Sequence, residues 1–328
     1  MKTGTVKTLS LGLTLACAAP AQAQVTGEVI AAQLAYSTNT AVMSATNGGQ
    51  YSEVPCGTDL SHGGSPRYFL DAVPSGQFLP DGYEGSFIIA ADEGCTQPLA
   101  ITNSVDMRFS NLPRWSPDDT RIAVYGEHWD LVGGVLRERG VFLMDVIYDS
   151  SGRPVGTANM RLIIPLPGEM LVSWSGDGEW LVYHDLVPDG AGGSQQDLFL
   201  FDLLTETSSN LTNSPGVSET HPDFSPVDYR IAYTQLVQIR GSYRFDIFTI
   251  DVLTGAVSQI TSKKTIGSPA NRFPSFSPDG QYLAFSSGSI TGPVMPSDIY
   301  KIRSNGSGKA VNLTGKRDGD FRWHVWRE

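Results

Sequence analysis

The chain has 328 residues, 40% of them hydrophobic and 17% charged, with a formal net charge of -11. That acidity argues against nucleic acid and anionic lipid as partners, since both would repel it. Beyond the N-terminal segment no apolar run approaches the ~18 residues that a membrane-spanning helix needs, and the remaining length suits one large domain rather than two.

Residues 1–23 begin with Lys2 and Lys7, continue through an apolar stretch from Leu9 to Ala18 and end in Ala21-Gln22-Ala23. A basic start, an apolar core and a small-x-small end describe a signal peptide, so residues 24–328 are expected to be the exported mature chain, periplasmic or extracellular. Loss of the two lysines takes the charge to -13. Cys17 lies inside this leader, and Thr14 stands where a lipoprotein signal carries leucine, so ordinary cleavage is expected.

The mature chain is organised by a recurring anchor. It reads LSHGGSPRYFLDA from Leu60, WSPDDTRIAVY from Trp115, WSGDGEWLVYH from Trp174, FSPVDYRIAYT from Phe224 and FSPDGQYLAFSS from Phe276, and Trp326 supplies a sixth aromatic in the same frame. Successive anchors are 50 to 59 residues apart. Short apolar and β-branched runs at this period, with no helical spacing between them, predict a blade-by-blade β-architecture.

Within each repeat four runs separated by turn residues predict four antiparallel strands, a to d. In the Phe276 repeat these are Arg272 to Ser277, Gln281 to Ser286, Asp298 to Arg303 and Ala310 to Thr314, with Pro278-Asp279-Gly280 turning a into b. Strand c recurs at Val141 to Asp145, Asp197 to Asp202 and Asp246 to Asp251, and strand d at Asn210 to Thr212 and Gln259 to Thr261. Leu34 to Ser37 matches Leu283 to Ser286, and Asn39 to Gly48 overlays Asp246 to Gly255, which gives strands b and c without an a. The missing a is Phe321 to Trp326 at the far end. The expectation is therefore an all-β, six-bladed β-propeller whose last blade takes one strand from the C-terminus and three from the N-terminus, leaving no exposed sheet edge between the chain ends.

Cys56 and Cys95 are an even pair in an oxidising compartment, which points to a disulfide. Topology objects: Cys56 follows a strand d while Cys95 sits in a c-to-d turn, and those positions belong to opposite faces, too far apart to bridge.

The [FW]-S-P-D-G-x-x-[IL]-A-[FVY] units, each followed by a D-[IL]-[FY] strand and an L-T or I-T end, resemble the WD-like Pro-Asp repeats of the TolB C-terminal propeller, over about Val29 to Trp326. The resemblance implies an exported protein-docking module without catalysis. TolB has a further N-terminal α/β domain for which this chain has no room, so membership of the Tol-Pal system does not follow. The same repeats occur in the propellers of dipeptidyl-peptidase-type enzymes, whose hydrolase domain is likewise not expected here.

No nucleophile elbow, H-E-x-x-H, C-x-x-C or phosphate-binding loop occurs in the sequence. The Asp-bearing turns at Asp118, Asp177, Asp228 and Asp279 read as turns whose carboxylates accept backbone hydrogen bonds rather than as calcium loops. His221 shares its repeat position with Leu112, Phe273 and Trp323 and reads as a packed core histidine, while His62 reads as a turn residue. Glu127-His128 and His184-Asp185 leave strand b on successive blades. They are the candidate ligands if a metal binds, and that reading implies a metal-dependent polysaccharide lyase or hydrolase resembling the oligogalacturonate lyases.

Long b-to-c connections, about 73–84, 126–139, 185–196, 235–243 and 287–297, are expected on one face. Long loops on an economical repeat carry function, so His128, Trp129, His184, Asp185, Tyr243 and Met295, with the strand-entry residues Arg272 and Arg322, are the candidate binding residues. The favoured reading is a non-enzymatic propeller with no cofactor that docks a protein or cell-envelope polymer there. The sequence leaves the oligomeric state open.

Overall fold

The computed structural model describes residues 28–33, 40–44, 51–54, 59–60, 68–92, 98–109, 113–168, 170–239, 241–289, 297–315 and 321–327. The leader, Cys56, Cys95, His62 and Met295 lie outside the described residues. Among those described, every regular element is a strand. No helix among them is long and apolar enough to cross a membrane.

The strands form antiparallel meanders of four, each named here by its anchor. The Leu60 sheet contains Asp59–Leu60, Tyr68–Phe78, Glu84–Asp92 and Leu99–Ala100. In the Trp115 sheet an interrupted first strand, Met107–Phe109 and Arg114–Trp115, pairs with Arg121–Asp130, followed by Val135–Tyr148 and Pro154–Pro165. The Trp174 sheet runs Ser173–Trp174, Trp180–Pro188, Ser194–Asp202 and Thr207–Asn210. The Phe224 sheet is Glu219–Phe224, Arg230–Ile239, Ser242–Asp251 and Val257–Gln259. The Phe276 sheet is Ala270–Phe276, Tyr282–Gly288, Ser297–Arg303 and Val311–Asn312. These last two are joined by one parallel pair, Phe245 with Ala270. The chain ends share a terminal sheet in the order Phe321–Arg327, Glu28–Gln33, Thr40–Ser44, Tyr51–Val54. All the anchors thus stand in first strands.

Why the strands carry continuous apolar runs is clear from burial. Ile122, Ala123 and Val124 are all fully buried, as are Leu181 and Val182, because each sheet packs both faces against its neighbours. The core is accordingly a series of seams. One joins Leu70 and Ile88 to Met107, Trp115 and Ile122, and the next joins Ala123 and Val141 to Trp174 and Leu181. Beyond them, Val182 and Leu198 meet Phe224 and Tyr233, and Ala232 and Ile247 meet Phe276 and Phe285.

The Ser-x-Asp turns, with Pro117, Gly176 and Pro278 in the middle, serve these seams. Ser116, Ser175 and Ser277 donate to Asp118, Asp177 and Asp279 at 2.6, 2.5 and 2.6 Å. The same carboxylates accept the backbone N–H of Thr120, Glu179 and Gln281, the Asx-turn role expected of them. The arginine that opens strand b then reaches the next sheet. Arg121 lies over the Trp174 ring at 5.1 Å and donates to the Gly178 carbonyl, and Arg230 lies over Phe276 at 5.4 Å and donates to the Gly280 carbonyl. The approach is close enough to demand glycine at position 176, where a Cβ would stand 2.1 Å from the Pro226 carbonyl oxygen.

Three elements differ from the sequence expectation. Four of the b-to-c connections are β-hairpin arms rather than loops: strands b and c pair as far as Phe78 and Glu84 and as far as Asp130 and Val135 with a register shift on the way, and as far as Pro188 and Ser194 and Ile239 and Ser242 without one; 290–296 of the fifth lie outside the described residues. The N-terminal strand b is Glu28–Gln33, upstream of the Leu34 to Ser37 match. Ala32 stands opposite Thr40, and residues 34–37 themselves lie outside the described residues. Third, the Trp115 sheet has an outer strand of 12 residues, Pro154–Pro165, where the next sheet has four.

Candidate functional site

The D-[IL]-[FY] strand and the L-T end meet as a latch. In the Phe224 sheet, Asp246 accepts both Nε and Nη2 of Arg244 at 2.8 and 2.9 Å, Thr261 Oγ1 at 3.0 Å and, across the seam, Asn271 Nδ2 at 2.9 Å. Gln259 adds a longer bond at 3.3 Å. Asp246, Thr261 and Asn271 are almost wholly buried. Asp298 repeats the arrangement with Thr314 and Asn312 at 2.6 and 3.0 Å, and Asp197 with Gln195 and Asn210 at 2.8 and 2.7 Å. These carboxylates satisfy buried donors and hold strand c against strand d.

Beside the latches, rings from three successive sheets stack. His184 of the Trp174 sheet lies 5.6 Å from His221 of the Phe224 sheet, and His221 meets Phe273 of the Phe276 sheet edge-on at 4.2 Å. His221 and Phe273 both have positive φ, 53° and 56°, at an irregularity in strand a just before a proline. Their shared repeat position is therefore a backbone bulge that swings the ring across the seam. Burial alone pushes the His184 imidazole down to about 4. His221 is held well below the ordinary histidine value by burial, then by His184 and Arg272. Arg272 in turn covers the Phe245 ring at 4.0 Å. Close by in sequence, Glu219 is 2% exposed and its Oε2 has no hydrogen-bond partner among the described residues. Burial raises its pKa, against hydroxyls of Thr212 and Ser214 that lower it, and Asp197 raises it further.

The structure thus brings buried His184 and half-buried Arg272 into a cluster with half-buried His221, whose involvement the sequence reading took as core packing. Asp185 turns away: its Oδ1 accepts the Leu186 N–H at 2.7 Å in an exposed stretch of arm. Glu127 and His128 belong to the Trp115 arm. Glu127 pairs with Arg108, which also holds Asp81 at 2.7 Å. His128 has Asp106 at 3.1 Å on Nε2 and Glu138 at 3.6 Å on Nδ1. Trp129 donates its backbone N–H to the Asp106 carbonyl at 2.9 Å. Tyr243 is 53% exposed near the tip of the Phe224 arm. Arg322 is placed by its strand register opposite Ala32. Among the described residues, no group of three or more His, Cys, Asp and Glu side chains converges as a metal cage.

Signals for the latch were present in the sequence: aspartates at 197, 246 and 298 each precede a threonine, 212, 261 and 314, by 15 or 16 residues.

Successive four-stranded antiparallel meanders, packed face to face through apolar seams, define a β-propeller. No family model matches the chain, and no curated protein does. Solved structures do. TolB from Acinetobacter baumannii is 15% identical with a TM-score of 0.62, over 92% of this chain and 67% of its own. Hydrazine synthase from Kuenenia stuttgartiensis is 8% identical with a TM-score of 0.63, over 93% of this chain and 47% of its own, so this chain spans about half of that protein. The fold is a TolB-like β-propeller.

Proposed function

We propose that this chain is an exported, non-enzymatic TolB-like propeller of six blades that docks a protein or cell-envelope polymer through the face bearing its b–c arms. The observation that carries the reading is exposed apolar side chains on the arms of four successive sheets. They are Phe78 (65%) and Tyr83 (70%), Val132 (99%) and Val135 (56%), Leu186 (53%), and Tyr243 (53%). Exposed apolar groups rimmed by polar ones mark interaction surfaces. The antiparallel pairing of Phe321–Arg327 with Glu28–Gln33 supports closure of the ring through a shared sixth blade.

Two experiments test this. Shortening the arm at 126–139 to a tight turn should abolish capture of an envelope component while leaving thermal unfolding cooperative; unchanged capture sinks the docking reading. Deleting residues 321–328 should lower stability by several kcal/mol, since the ladder with Glu28–Gln33 is lost and a sheet edge is exposed. Unaltered melting of that truncation sinks the closed ring.

A further inference from the structure

We infer that the adjoining arms of the Leu60 and Trp115 sheets seat an extended peptide segment whose apolar side chains are flanked by lysine or arginine. The inference rests on the docking reading and names the partner's chemistry at one place on that face. The two arms are physically joined. A Cβ on Gly134 would lie 4.0 Å from Pro80, Arg108 covers the Tyr83 ring at 5.4 Å, and the same arginine bonds Asp81 and Glu127. On this joined platform Phe78, Tyr83, Leu131, Val132 and Val135 are all exposed, Val132 almost entirely so. The neighbouring arms show fewer such residues each, with Leu186 on one and Tyr243 on the next.

The rim sets the sign of the partner. Around these side chains stand Asp81, Glu84, Asp106, Glu127, Asp130 and Glu138 against Arg108, Arg137 and Arg139, an excess of three negative charges. The arginines are partly spoken for: Arg108 is shared between Asp81 and Glu127, and Arg137 pairs with Asp130 at 3.1 Å. Among the described residues Asp106 and Glu138 share the His128 imidazole as their cationic partner, and they are 36% and 50% exposed. An acidic rim around apolar groups attracts a partner of the opposite sign and repels acidic segments, and most of that selection is lost when salt screens it.

The test uses the full chain and a fluorescent synthetic peptide of alternating Leu and Lys, with its Leu-Glu counterpart as comparison. A benzophenone photocrosslinker is placed at position 83 on the platform, at 186 or 243 on the neighbouring arms, or at position 253, an exposed c-to-d turn residue at the other end of the strands. We expect the Leu-Lys peptide to label position 83 and not 253. The double change Phe78→Ser and Val132→Ser should weaken its binding about tenfold or more without moving the melting temperature, and about 0.5 M salt should weaken it further. Equal labelling at 253, or equal binding of the Leu-Glu peptide, overturns the inference. Labelling from positions 186 or 243 instead overturns this placement and leaves arm-face docking standing. Val132-dependent binding to neutral phosphatidylcholine vesicles, with no peptide binding, overturns it in favour of a membrane.

Discussion

Removing the Asp246 carboxylate should do more damage than removing its equivalent in the next sheet, and the difference isolates the value of a buried charge pair. Asp246 is 1% exposed and Arg244 8%, so Asp246→Ala leaves a guanidinium buried without its bidentate partner and frees the Thr261 and Asn271 donors as well. Breaking one side of such a pair costs about 3–5 kcal/mol. Asp298 holds the neutral Thr314 and Asn312, so Asp298→Ala should cost about 1–3 kcal/mol, the desolvation of donors left unmatched. At ~2 °C per kcal/mol for a domain of this size, Asp246→Ala should melt about 6–10 °C below the parent and Asp298→Ala about 2–6 °C below. Urea unfolding at pH 7 followed by tryptophan fluorescence gives the free energies directly. Replacing both partners, Arg244→Met with Asp246→Leu, should recover the charge part of the loss, because no guanidinium is stranded, and leave about 1–3 kcal/mol for the unmatched Thr261 and Asn271 donors. The reasoning fails if Asp246→Ala costs no more than Asp298→Ala, or if the double change is worse than the single one.

Acidification should weaken the ring stack. His184 binds its proton near pH 4 in the folded chain and near 6.5 when unfolded, so the stability it contributes is complete above about pH 6.5 and is lost as pH falls from there toward 4. His221, shifted the same way, adds to the loss. For His184 alone the effect is about 3 kcal/mol; unfolding free energies between pH 7 and 4.5 should fall less steeply for His184→Phe, and parallel slopes would count against the assignment. Gly176→Ala should destabilise by ~2 kcal/mol or more, because backbone rather than a movable side chain blocks its Cβ. Gly190→Ala, at a positive φ of 75° but in open space, should cost only about 1 kcal/mol; a reversal of that order, read by thermal melts, would refute the close seam.

The anchors were legible because each combines a buried aromatic with a turn of fixed chemistry: Trp115 and Trp174 are buried, and a Ser-x-Asp turn, Ser116-Pro117-Asp118 or Ser175-Gly176-Asp177, fixes the corner behind each. Pairing of the two chain ends was legible for the same reason, since Trp326 keeps the frame while the N-terminal strands lack a partner. The arms were not. Past Tyr125 or His184 a strand leaves the core, apolar residues give way to Glu127-His128 or Asp185, and the burial pattern that marks a strand disappears although the ladder continues. The outer strand Pro154–Pro165 was hidden similarly, since only two of its twelve residues are buried and its register shifts repeatedly against Val135–Tyr148. His184 was read as a surface residue from its place at the end of an apolar run. Its burial depends on the bulge at His221, one sheet away, and no local pattern carries that.

The parallel link between Phe245 and Ala270, the single one among the described residues, carries a dynamic consequence. There the Phe245 amide donates to the Pro269 carbonyl at 2.8 Å, so the Phe224 and Phe276 sheets share one continuous ladder, while Asn271 bonds Asp246 through the same seam. Neither sheet can fray without tearing the other. Amide protons on both should therefore exchange with deuterium as a single protected block, leaving the molecule's breathing to the remaining seams.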